Sequence, residues 1–146
     1  MKWVTWKNIG VDRMACIWLI RRWIDPAAEF SFMPPGEKPL PEHGEPFDIP
    51  GARYSHHAGH CTFYGFVYEQ KLEDPVLKRI AQMVDEVDEV QEVTVEPAAL
   101  GLDLICRGVR QISRDDFEAL ERGSLIYDAL YAQLKTDFAP SRMAEN

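Results

Sequence analysis

The sequence predicts a helix-rich α+β single domain with a small sheet of short strands. Two short aromatic and β-branched stretches flank an apolar stretch of helical period near the N-terminus. Asp-Pro and Glu-Pro pairs then open further helical stretches, and the last third keeps helical spacing almost to its end. At 146 residues the chain is long enough for one core. The domain is expected over 1–138, followed by a frayed tail at 139–146.

The elements run in order from the N-terminus. Trp3–Trp6 ("WVTW") is aromatic and β-branched and reads as a strand. "KNIG" is a turn, and Asp12 stands where a helix N-cap belongs. Arg13–Ile24 has a helical stripe of Ile17, Ile20 and Ile24, and Asp25-Pro26 ends it. Glu29–Met33 alternates and reads as a second strand. The stretch 34–50 holds six of the ten prolines and reads as a surface loop. A third short strand is expected near Phe47–Ile49 or Tyr54–His56. A helix over Thr62–Gln70 comes next, weakened by Gly65. Asp74-Pro75 starts another, with Leu77, Ile80, Val84 and Val87 facing inward. "VQEVTV" is open between strand and loop. Glu96-Pro97 begins a helix to about Gln111. Ser113 with Asp116 approximates a capping box, and Gly123 is expected to divide the last helical stretch into two helices.

Composition excludes several classes. Sixteen basic against 24 acidic side chains give a net charge of −8, which weighs against direct nucleic-acid binding. The longest apolar run, Met14–Ile20, is far too short to cross a bilayer, and "MKWVTWKN" has no signal-peptide core. A cytoplasmic protein with no membrane partner is therefore expected. Three widely spaced cysteines imply neither a disulfide framework nor a CxxC motif. There is no GxSxG, P-loop or GxGxxG.

Three of the four histidines lie in "RYSHHAGHCTF": His56, His57 and His60, beside Cys61. In an extended chain, positions four apart lie roughly 13 Å apart, too far for one ion. At most one or two of them share a metal unless the backbone turns sharply at Ala58-Gly59. Carboxylates are available at one helix end: Asp85, Glu86, Asp88 and Glu89, with Asp85 and Asp88 neighbours on one face. Imidazole with carboxylate suits a divalent transition metal, Zn, Fe or Mn. A polar loop beside a solvated acidic helix end is the alternative. A Cys61 nucleophile is not favoured, because Cys61 and its neighbours point apart in an extended chain.

"DRMACIWLIRRW" sets Arg13, Arg21 and Arg22 on an apolar helix. An arginine near a helix N-terminus suits an anion. The residues alone favour a core helix whose arginines pair with the many carboxylates. Asp128, in the apolar "YDALY", needs a partner, and Arg13 or Arg21 would serve.

Several stretches taken together resemble the chromate-resistance family, namely the C-terminal domain of ChrB: "VDRMACIWLIRRWIDPAAEFSFMPP", "PFDIPGARYSHHAGHCTF", "LEDPVLKRIAQMVDEVD", "EPAALGLDLI" and "LERGSLIYDALYAQL". The resemblance implies a role in chromate resistance or in sensing the oxyanion. It implies that His56 and Asp88 keep family positions, whereas Tyr64 and Asp85 replace an acidic residue and a histidine. On this reading His56, His57, His60, Asp85 and Asp88 are the metal candidates, and Arg13 and Arg21 the oxyanion candidates. Cys61 and Asp128 support them. The expected partners are a metal ion or small oxyanion, with a homo-oligomer also open. A metal-dependent redox or hydrolytic enzyme and a non-catalytic regulatory module are the alternatives.

Overall fold

A computed structural model describes residues 1–88 and 94–138. Glu89, most of "VQEVTV" and the expected tail at 139–146 lie outside the described residues. The order is β1 (Lys2–Trp6), α1 (Val11–Leu19), a π-helical turn (Ile20–Ile24), β2 (Glu29–Met33), a 3-10 turn (Pro41–His43), β3 (Glu45–Pro46), α2 (Thr62–Glu69), α3 (Pro75–Asp88), α4 (Ala99–Ile112) and α5 (Asp116–Asp137). This is the expected α+β architecture. The sheet is parallel in the order β2-β1-β3, with Val4 opposite both Ser31 and Pro46.

α1 is the centre of the molecule. Met14 to Leu19 are all buried, so the helix is apolar nearly all round, as an interior helix must be. Trp18 stacks on Tyr127 of α5 at 5.6 Å and on Phe63 of α2 at 6.4 Å. The Tyr127 hydroxyl donates to the Val11 carbonyl at 2.7 Å, which ties α5 to the start of α1. At the other end Asp25 N–H donates to the Ile20 carbonyl, five residues back, at 2.6 Å. The helix thus widens into a π turn before Pro26 stops it.

Several local expectations are corrected. Asp12 is not the N-cap of α1: Gly10 holds that position, and Asp12 lies buried within the first turn. The third strand is Glu45–Pro46, and Phe47 and Tyr54, in the two stretches expected to supply it, form an isolated bridge. α4 begins at Ala99, two residues after Pro97. Ser113 closes α4 instead of opening α5; Asp115 caps α5 by accepting the Glu118 N–H at 2.9 Å. Gly123 does not break the last helix, which is continuous. It is a packing glycine, since a Cβ there would stand 2.9 Å from Met14 Sδ. Gly44 serves a different purpose. Its φ is +103°, and a Cβ would meet the Lys2 carbonyl oxygen at 2.3 Å, where β3 joins β1.

These two glycines should differ in tolerance. Gly44→Ala meets backbone and a left-handed φ, and is expected to cost about 3 kcal/mol. Gly123→Ala meets only side-chain atoms of buried Met14, Sδ, Cγ and Cβ at 2.9, 3.0 and 3.3 Å, and gains helix propensity, so a smaller net cost of about 1 kcal/mol is expected. Urea titration of both variants checks this, and equal or reversed costs would contradict the packing described.

Candidate metal centre

The N-terminus of α2 organises the site. Its first N–H groups have no partner within the helix. Two buried carboxylates from other helices supply them. Asp12 of α1 accepts Thr62 N–H at 3.0 Å and Phe63 N–H at 2.9 Å. Asp85 of α3 accepts Cys61 N–H at 2.7 Å. Cys61 is itself the N-cap, its sulfur accepting Tyr64 N–H at 3.5 Å.

The loop before α2 brings in the histidines. His57 and His60 pair through their backbones around Ala58 (φ +52°) and Gly59 (φ +79°), a two-residue hairpin turn. The sharp turn that a shared site would need is therefore present. The three histidines nevertheless go to different partners. His56 Nε2 lies 3.3 Å from Asp12, 3.2 Å from Asp48 and 3.0 Å from Asp88. His60 Nδ1 contacts Asp85 at 2.6 Å, and its ring stacks on Tyr64 at 3.7 Å. His57 Nε2 is 3.2 Å from both Ser55 Oγ and the Arg53 carbonyl, with no carboxylate beside it among the described residues.

Three carboxylates thus converge on one imidazole nitrogen. Among the described residues, Asp12, Asp48 and His56 offer ligand atoms that all lie within 4.8 Å of one another. Asp48 has φ +52° and is held by Thr62 Oγ1, which donates at 2.8 Å, and by Arg13 Nε at 3.2 Å. The electrostatics follow from the crowding. Hydrogen bonds to Asp12 and Asp48 hold His56 protonated, up to about 11. Burial, reinforced by the charges of Asp12 and Asp48, raises Asp88 to about 7. Burial and Asp48 likewise raise Asp12, against the pull of His56 and its two N–H donors. Burial pushes the Cys16 and Cys61 thiols up as well, so neither offers a thiolate.

Two cavities open on this cluster. A polar one of about 200 Å³ is lined by Asp12, Arg13, Asp48 and Asp88, with Arg107 and Arg110 of α4 on its wall. A larger one of about 450 Å³ has His56, Asp48 and Arg13 on one side and Trp6, Ile49 and Pro50 on the other.

Residues 3–134 match the family described as "ChrB, C-terminal domain". The chain belongs to the ChrB C-terminal-domain family. It is similar to "Protein ChrB" of Cupriavidus metallidurans, 31% identical over 136 residues, which are 92% of this chain and 41% of that protein. The chain thus spans about two fifths of that relative's length. No solved structure matches it.

The fold sorts the candidate residues into two neighbouring groups. His56 and Asp88 lie together with Asp12 and Asp48. Tyr64 and Asp85 lie together around His60. The arginine expectations divide as well. Arg13 is at the cluster but engaged by Asp48 and by Thr5 Oγ1 at 3.1 Å. Arg21 is on another face, bonded to Glu121 at 3.0 Å. Asp128 takes neither of them: it accepts from Trp18 Nε1 at 2.8 Å and from Arg22 at 2.8 Å and 3.1 Å. Sequence reasoning does not single out Asp48, and it offers Asp12 as a cap and not as a ligand. Acids set among apolar residues and prolines, as in "PFDIPG", are the available signal, because a buried carboxylate demands partners.

The proton balance gives a testable sign. Asp88 and His56 both bind protons more tightly folded than unfolded, so this cluster stabilises the metal-free fold on the acid side. That stability falls as Asp88 ionises up to about pH 7, and falls further as pH rises from about 6.5 toward about 11 for His56. The melting temperature of metal-free protein is expected to drop between about pH 5 and about pH 8, and Asp88→Asn to flatten the lower part of that drop. A melting temperature that rises across this range in both proteins would contradict the arrangement.

Proposed function

We propose that this chain holds a divalent transition metal through Asp12, Asp48, His56 and Asp88, and serves a chromate-resistance role through that centre. The observation that carries the reading is the convergence of three carboxylates on one imidazole nitrogen, at 3.0 to 3.3 Å. Ligands about 2.1 Å from a metal stand about 3.0 to 3.4 Å apart along an octahedral or tetrahedral edge, so each carboxylate's spacing from His56 fits such an edge; Asp12, Asp48 and His56 hold ligand atoms within 4.8 Å of one another, and Asp88 joins them through its contact with His56. One imidazole among oxygens suits Fe, Mn or Zn better than a soft metal such as Cu(I). Such an ion, when bound, would act as a Lewis acid or redox centre.

The chain's own residues do the rest. Arg13 and Thr62 orient Asp48, and the α2 N-terminus orients Asp12. In the metal-free protein the His56 imidazolium stands at the point where the three carboxylates meet, so a metal must displace its proton and the share held by Asp88. On the polar side, Arg110 with Arg107 would meet an anionic ligand of the metal, such as a tetrahedral oxyanion. Arg13 supports this side from within its pair with Asp48.

The experiment is metal analysis of tag-free protein, with calorimetric titration of Zn(II) and Mn(II) in buffers of different ionisation enthalpy. One ion per chain is expected, with release of between one and two protons near pH 7 and an affinity that rises with pH. His56→Ala and Asp48→Asn should each weaken binding at least about tenfold. Substoichiometric metal whose amount is unchanged in His56→Ala would overturn the reading.

A further inference from the structure

α4 is apolar on two opposite faces. One face, Ala99, Leu102, Cys106 and Val109, is buried against the core. The opposite face carries Leu100, Leu104, Ile105 and Ile112, each more than half exposed. At 100° per residue, Gly101 and Gly108 fall at the centre of that outer face. Leu100 and Leu104 lie on one side of them, Ile105 and Ile112 on the other. A Cβ at either glycine would meet nothing within 4 Å, so both look into open space. The outer face is thus a shallow groove with a glycine floor and aliphatic walls. Among the described residues, α4 is covered on its inner face alone, and an exposed apolar face of this kind marks an interaction surface.

We propose that this face pairs with the same face of a second copy, as an antiparallel helix pair about a twofold axis near Ile105. The self-complementarity is specific. The axis sets Gly101 opposite the partner's Gly108, so the two backbones can approach closely. It sets the Leu100–Leu104 wall against the partner's copy of that wall, and Ile105 near the partner's Ile105. On the flank, Asp103 and Arg107 form an ion pair within one copy at 2.9 Å. The same axis places Asp103 opposite the partner's Arg107, and the reverse. A parallel pair would instead set these charges against the isoleucine wall. The exposed aliphatic face is on the order of 500 Å², the size of the largest apolar patch of a typical monomer, which is often a binding surface. A stable pair needs about 800 Å² per partner, so the pair must also bury the polar residues that flank this face, Asp103 and Arg107 among them.

Sedimentation velocity from low to high micromolar concentration tests the proposal. The mass should rise toward twice the 16.8 kDa of the chain. Leu104→Glu and Gly108→Leu should each abolish that rise. Gly108→Leu is the sharper variant. It fills the groove floor, yet has room and better helix propensity within one chain. The isolated chain should therefore melt at the same or a higher temperature while failing to pair. Wild-type protein that stays monomeric at high micromolar concentration overturns the proposal. So does a pair that survives both substitutions, which would place the interface elsewhere. Neither outcome bears on the metal centre.

Discussion

The carboxylate of Asp12 is the interaction on which the rest depends. It sits in the first turn of the central helix, 3% exposed, and accepts the first N–H groups of α2. A charge in that position must be compensated or neutralised, because burial without partners costs several kcal/mol. Three kinds of partner meet it: the backbone N–H donors at the start of α2, the His56 imidazole and the Cys16 thiol, which donates at 3.6 Å. One residue thereby fixes how α1 and α2 cross. It also fixes where the loop before α2 must deliver its histidine.

The chemistry follows from that structural demand. Asp48 and Asp88 add two more carboxylates to a place already negative, and Arg13 offsets only Asp48 directly. Burial, reinforced by the charges of neighbouring acids, disfavours the ionised forms of Asp12 and Asp88, and hydrogen bonds to Asp12 and Asp48 suppress the basic form of His56. Such a cluster is poised for a cation. A proton on His56 fills the role in the metal-free protein, and a divalent ion would fill it with more charge and fixed geometry. The neighbouring His60–Asp85 contact has a different character: among the described residues it has a single carboxylate, with the Tyr64 ring stacked on the imidazole.

Much of this was legible in the residues. β-branched and aromatic runs marked β1 and β2, and Asp74-Pro75 marked the start of α3. The histidine loop and the acidic end of α3 were both visible as candidates, and His56 does meet Asp88. The sequence did not reveal which carboxylate meets which histidine. That pairing depends on a two-residue turn at Ala58-Gly59 and on the crossing of three helices, both tertiary facts. Asp12 looked like a cap because it precedes an apolar helix. In fact it caps a helix 50 residues further on. Gly123 looked like a break because glycine weakens helices, and packing against Met14 overrode that propensity. Arg21 and Arg13 look equivalent in sequence, yet one lies at Glu121 and the other at the acidic cluster.

The most direct test is anomalous diffraction from crystals of tag-free protein grown with Mn(II) or Zn(II), recorded on both sides of the metal absorption edge. The account predicts one strong peak per chain, about 2.1 Å from His56 Nε2 and from carboxylate oxygens of Asp12, Asp48 and Asp88. A peak at His57 or at the His60–Asp85 pair, or no peak with His56 still bridging the three carboxylates, would contradict it.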